Sequence, residues 1–179
     1  MSSHVYHEIY LHFNWHTKGD LPLLSGELES LAHAELQAKC RRIKGAYLHA
    51  VGGTDTHVHL ALSIEPFVTI SELVQELKGA SSFEVNKRMG RKALEWQRGY
   101  GVVSFGKSNL DWVLDYVRRQ REHHAAGQCH ARLELCDSPD VDGNVFMKKI
   151  ASVKPGDIIQ VTIIDSDEHD LIGIVTLNL

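Results

Sequence analysis

The chain has 179 residues, 43% of them hydrophobic, which is enough to bury a core without disulfide or metal staples. No apolar run approaches the roughly 20 residues that a membrane-spanning helix needs, and the first residues carry no basic-then-apolar leader pattern. Three cysteines (Cys40, Cys129, Cys136) form no Cys-x-x-Cys pair, so a reduced, cytoplasmic protein without a thiolate zinc site is expected. The net charge of −4 is uneven: residues 1–134 hold 16 Lys/Arg against 15 Asp/Glu, whereas residues 135–179 hold 3 against 8.

Residues 8–15 alternate aromatic and aliphatic with polar side chains, a first strand, which Gly19 and Pro22 end. From Ser25, an N-cap candidate, to about residue 42, the residues Leu28, Leu31, Ala32, Leu36 and Ala38 fall at helical spacing. Residues 47–51 and 57–64 then read as a hairpin around Gly52-Gly53-Thr54-Asp55. Thr69-Ile70-Ser71-Glu72 fits a capping box that opens a second helix, running with a break at Gly79 to about residue 89. Residues 96–105 give a fourth strand, and Ser108-Asn109-Leu110-Asp111 starts a helix reaching about residue 124. The order β-α-β-β-α-β plus a helix is an α+β, ferredoxin-like antiparallel sheet with one added element. Two regions follow: a domain over 1–134 and a small all-β appendage over 135–179.

Two stretches carry candidate chemistry. In Thr56-His57-Val58-His59-Leu60 the histidines sit at i and i+2, so a strand projects both imidazoles from one face and the apolar residues from the other. That is either half of a divalent-metal site or a half-exposed strand rich in histidine. In the last helix Tyr116 and Gln120 are one turn apart, presented either to a cleft or, as boundary and surface residues, to water. His123 and His124 read as solvent-exposed histidines at the helix end. Lys39, Arg41, Arg42 and Lys44 form one basic cluster, and Lys78, Lys87, Arg88, Arg91, Lys92 and Arg98 a second; such clusters receive a polyanion or are simply solvated helix faces.

His-hydrophobic-His on a strand followed by a Tyr-x-x-x-Gln helix resembles the single-tyrosine transposases of the HUH nuclease superfamily, the small bacterial insertion-sequence and REP-associated types. The likeness extends over Trp15-His16-Thr17-Lys18, Leu77-Lys78-Gly79-Ala80-Ser81-Ser82 and Trp96-Gln97-Arg98-Gly99-Tyr100-Gly101, and covers about residues 6–125 in order. It implies a transposase in which His57, His59 and Gln120 bind Mg²⁺ or Mn²⁺ and Tyr116 attacks single-stranded DNA beside a hairpin, giving a 5′-phosphotyrosine. Lys78, Lys87, Arg88 and Arg91 become the candidate phosphate contacts, with Trp96 and Tyr100 either stacking bases or belonging to the core. A homodimer is implied as well, with the tyrosine helix serving its own or its partner's histidines. Two alternatives stay open: a domesticated, non-catalytic hairpin-binding protein, and a metallohydrolase activating water at the histidine pair. The tail, through Asp140-Val141-Asp142-Gly143 and Lys154-Pro155-Gly156-Asp157, resembles part of a TRAM domain, the small barrel of some methylthiotransferases and tRNA-modifying enzymes.

Overall fold

The structure, a computed structural model, describes residues 6–136 and three strands of the tail. Four strands, β1 (Tyr10–His16), β2 (Ala46–Gly53), β3 (His57–Ile64) and β4 (Gly101–Phe105), form an antiparallel sheet in the order β2-β3-β1-β4. That is the ferredoxin-like arrangement the sequence implied. β1 and β3 lie at the centre and pair Asn14 with His59 and His16 with His57.

Period-2 alternation divides the sheet into two faces. Leu11, Phe13 and Trp15 of β1 share one face with Val58, Leu60 and Leu62 of β3. Against it pack α1 (Gly26–Cys40), through Leu28, Ala32, Leu36 and Cys40, and α2 (Ile70–Met89), through Leu73, Val74, Leu77 and Val85. The i, i+4 spacing of the α1 set keeps these side chains on one stripe. The other face presents His12, Asn14, His57 and His59, and it too is covered. Val113 and Val117 of α3 (Leu110–Arg118) close over Ala50 and Ala61. His57 and His59 are therefore buried, which removes the half-exposed-strand reading.

Gly52 explains how close α3 comes. A Cβ on Gly52 would stand 1.9 Å from the Val117 carbonyl oxygen, so no other residue leaves room for the helix. Four local expectations are corrected. α2 runs through Gly79 without a break, because Leu77, Ser81 and Val85 continue its buried stripe. Ser25 and Thr69 stand at the N-cap positions as expected, but neither makes a side-chain cap bond; at the second site the Thr69 carbonyl accepts the Leu73 amide instead. The fourth strand begins at Gly101, with only an isolated bridge between Trp96 and Thr17 before it. Between them the carbonyls of Gln97, Arg98 and Gly99 accept the Lys78 ammonium at 3.0, 3.1 and 2.5 Å. The last predicted helix is two: α3 stops at Arg118, Arg119 leaves helical geometry, and α4 spans Gln120–Ala125. The Gln120 amide, donating to the Tyr116 carbonyl at 3.2 Å, inserts a side chain into the helical ladder at this break.

A further short helix, α5 (Ala131–Glu134), follows a turn at Gly127, whose φ of 64° suits glycine. In the tail, β5 (Val145–Met147), β6 (Val161–Ser166) and β7 (Leu171–Val175) form a sheet in the order β5-β7-β6, β5 parallel and β6 antiparallel to β7. The chain divides into two compact units, Met1–Asp137 and Ser138–Leu179. The predicted linker at 137–140 and the TRAM-like stretches 140–143 and 154–157 lie outside the described residues, as do the rest of 137–144 and 148–160, residues 167–170 and residues 176–179. Among the described residues no helix is long and apolar enough to cross a membrane.

Candidate metal centre and tyrosine site

The histidine face of the sheet is built from the back outward. His59 Nδ1 lies 2.8 Å from His12 Nε2, and His57 Nδ1 lies 3.0 Å from Thr54 Oγ1 and 3.1 Å from Thr56 Oγ1. With both Nδ1 atoms engaged, both Nε2 atoms point away from the sheet. Metal-binding histidines are aimed in this way, by partners on the nitrogen that does not ligate. Both Nε2 atoms are buried without a hydrogen-bond partner among the described residues, as is Gln120 Oε1. Buried polar atoms are seldom left so, and a cation is one group that satisfies all three. The residues present fit a divalent metal.

Burial, reinforced by the neighbouring His59 and His16 rings, holds the His57 pKa at about 3; burial also lowers that of His59. Both rings are thus neutral at pH 7, the form that offers a lone pair. Glu134 moves the other way. Burial alone raises a carboxyl pKa, but His59, Tyr116 and His57 outweigh it and hold Glu134 at about 2, ionised at neutral pH. Its Oε2 lies 3.7, 3.5 and 3.4 Å from Nε2 of His57, His59 and His124. These are ion-pair distances rather than hydrogen bonds.

Tyr116 stands over this group, its ring centroid 6.2 Å from that of His59 in the same chain. The phenol is only 3% exposed. It donates to Glu134 Oε1 and accepts the His130 backbone amide at 2.9 Å. Burial and the Glu134 carboxylate push its pKa up to about 12. Its ring lies between two others, Trp112 at 5.6 Å and His123 at 4.8 Å, both nearly parallel to it. α5 is anchored beside it by the buried Leu133, whose carbonyl accepts the Asn14 side-chain amide at 3.1 Å.

The structure brings His57, His59, Tyr116 and Gln120 onto one side of the sheet. His124 is exposed at the helix end, as expected, yet its Nε2 joins the Glu134 cluster; His123 is corrected, being partly buried and stacked on Tyr116. Glu134 and Trp112 were not singled out from sequence; a four-residue helix has no period, and an exposed tryptophan beside a tyrosine has no motif. Of the basic residues, Lys87 and Arg91 are exposed, while Arg88 is exposed but paired with Glu35 at 2.7 Å. Lys78 is turned inward: its three donors meet three carbonyls, and its charge sits 5.5 and 5.7 Å from the Trp15 and Tyr100 rings. Trp96 is a core residue, edge-on to Trp15.

The family model "Transposase IS200 like" matches residues 5–120, and the TRAM domain model matches residues 120–176. The transposase for insertion sequence element IS200 of Salmonella typhimurium is 33% identical over 78 residues, 40% of this chain and 51% of that protein. The ribosomal protein uS12 methylthiotransferase RimO of Sphingopyxis alaskensis is 51% identical over 68 residues, 37% of this chain and 14% of that protein. The chain thus spans about half of the one relative and a seventh of the other. A solved Deinococcus radiodurans protein assigned as a transposase shares the fold with a TM-score of 0.53 at 19% identity, over 72% of this chain and 96% of that one.

Proposed function

The chain belongs to the IS200-like transposase family, and on that premise we propose that it cleaves and rejoins single-stranded DNA beside hairpins through a 5′-phosphotyrosine at Tyr116. The observation that carries the proposal is the placement of Tyr116 over two buried imidazoles whose Nε2 atoms have no hydrogen-bond partner among the described residues. Histidines 57 and 59, with Gln120, would hold a divalent cation. When bound, such a cation polarises the scissile phosphate and offsets the charge that grows on its oxygens.

The protein's own residues do the rest. The Tyr116 oxygen attacks phosphorus, a P–O bond to the phenol forms, and the bond from phosphorus to the 3′ oxygen breaks. The phenol proton leaves along the hydrogen bond to Glu134, and the departing 3′ oxygen takes up a proton to become a hydroxyl. The phosphotyrosine keeps the energy of the broken diester, so a second 3′-hydroxyl can attack it and reseal the strand. Trp112, half exposed and stacked on Tyr116, is placed to stack a base next to the scissile phosphate. Lys87 and Arg91 are the surface cations for the phosphate backbone. A homodimer completes the proposal; since Tyr116 and His59 stand together within one chain, each protomer carries its own site.

A second reading has an observation behind it. Tyr116 is covered and its hydroxyl is held by both Glu134 and His130, as suits a protein that binds hairpins without cutting them. A denaturing gel separates the two. Single-stranded hairpin oligonucleotides incubated with the chain and Mn²⁺ yield a covalent adduct that chelator and Tyr116→Phe both abolish. Tight hairpin binding with no adduct establishes the binding protein instead, and cleavage that survives Tyr116→Phe points to water as nucleophile.

A further inference from the structure

We propose that the cation site has four protein ligands, with His124 and Glu134 joining His57 and His59, and that it selects later first-row dications over Mg²⁺. The inference rests on the reading of the histidine pair as a cation site and refines which residues complete it. One ligating atom from each of the four lies within 4.8 Å of the other three. The separations from Glu134 Oε2 to the three Nε2 atoms, 3.4 to 3.7 Å, are close to the spacing of neighbouring ligands around one ion. Ligands bound at about 2.1 Å in a tetrahedron sit roughly 3.4 Å apart, so the three carboxylate separations fit as they stand, while the widest pair of the four, at up to 4.8 Å, closes when the ion binds.

The orientation is imposed rather than incidental. Thr54, Thr56 and His12 aim the two strand histidines from behind. Arg121, next to α4's first residue, bonds the Leu24 carbonyl at 2.8 Å and Glu29 at 2.9 Å and so fixes the short helix that carries His124. Leu133 and the Asn14 amide fix α5, which carries Glu134. Three elements of unrelated sequence position thus deliver donors to one point. Gln120 Oε1 is a neutral oxygen on the same side, available as a further donor. Three imidazoles and one carboxylate make a nitrogen-rich set, which suits Zn²⁺ or Co²⁺ better than Mg²⁺, a cation of oxygen ligands and retained waters. Because Glu134 Oε1 accepts the Tyr116 hydroxyl, its carboxylate also links the cation to the nucleophile.

The test titrates the full-length, metal-free chain with CoCl2 and ZnCl2, by calorimetry and by the visible absorption of bound Co²⁺. One ion binds per chain; His124→Ala and Glu134→Gln each weaken binding at least tenfold, and Tyr116→Phe changes it less than threefold. A hundredfold excess of MgCl2 leaves Co²⁺ in place. Unfolding of the metal-free variants is followed alongside; if His124→Ala fails to fold, His124→Gln replaces it. Wild-type affinity in both His124 and Glu134 variants overturns the proposal, as does ready displacement by Mg²⁺. A chain that binds Co²⁺ as expected but forms no DNA adduct retains this site and loses the transposase activity; an adduct from a chain whose affinity ignores Glu134 does the reverse.

Discussion

At His59 the two ring nitrogens have separate tasks, Nδ1 bound to His12 and Nε2 offered to the site. The arrangement has an acid cost. Burial, and next the His59 ring, hold the His12 pKa at about 3, and His57 has the same depression. Unfolded, both titrate near 6.5, so below that pH the unfolded chain binds protons that the folded one refuses. Stability is therefore full above pH 6.5 and falls as pH drops towards 3. At pH 5 each such histidine costs about 2 kcal/mol, and urea melts of the metal-free chain at pH 7 and pH 5 will show the midpoint falling. The surface cations predict a salt effect: Lys87→Ala with Arg91→Ala should flatten the log–log salt dependence of single-strand binding by about 1.4, at roughly 0.7 per phosphate contact. That His57 and His59 share one face of the sheet was legible because a strand puts i and i+2 together, and the pairing of Tyr116 with Gln120 was legible from their spacing, although the helix breaks at Arg119 between them. His124 and Glu134 were not, since they reach the site through a helix break and a turn at Gly127, and neither event has a period.

At the level of elements, all four strands, the two long helices and the order of connection could be read from alternation and spacing, because each buries a regular stripe. The failures fall where a side chain replaces a backbone partner: Lys78 takes the carbonyls of residues 97–99 that a longer strand would have used, and the Gln120 amide interrupts the last helix. Lys78→Met keeps the stem but removes the ammonium that these three carbonyls accept, and thermal melting should show a loss of about 1–3 kcal/mol. Gly52 tests the seat of the tyrosine helix. In Gly52→Ala the Val117 carbonyl must retreat by roughly 1 Å, and displacements of that size cost about a hundredfold in rate at a reacting centre. Adduct formation should fall accordingly while the Co²⁺ affinity of the β3 histidines persists in part; an unchanged adduct rate means the helix tolerates the lift.

For the molecule as a whole, the two compact units divide after Asp137, so the first contains every residue of the site. A chain ending at residue 137 should bind Co²⁺ like the full chain, whereas one ending at residue 128 loses Glu134 and Leu133 and should bind at least tenfold more weakly; calorimetry on the two decides it. The two family matches divide elsewhere, at residue 120. That seam runs between Tyr116 and Glu134, two side chains joined by a hydrogen bond. Exchanging the tail of the gene at this seam would also replace the carboxylate that accepts the Tyr116 hydroxyl, so a new tail would have to supply that partner again.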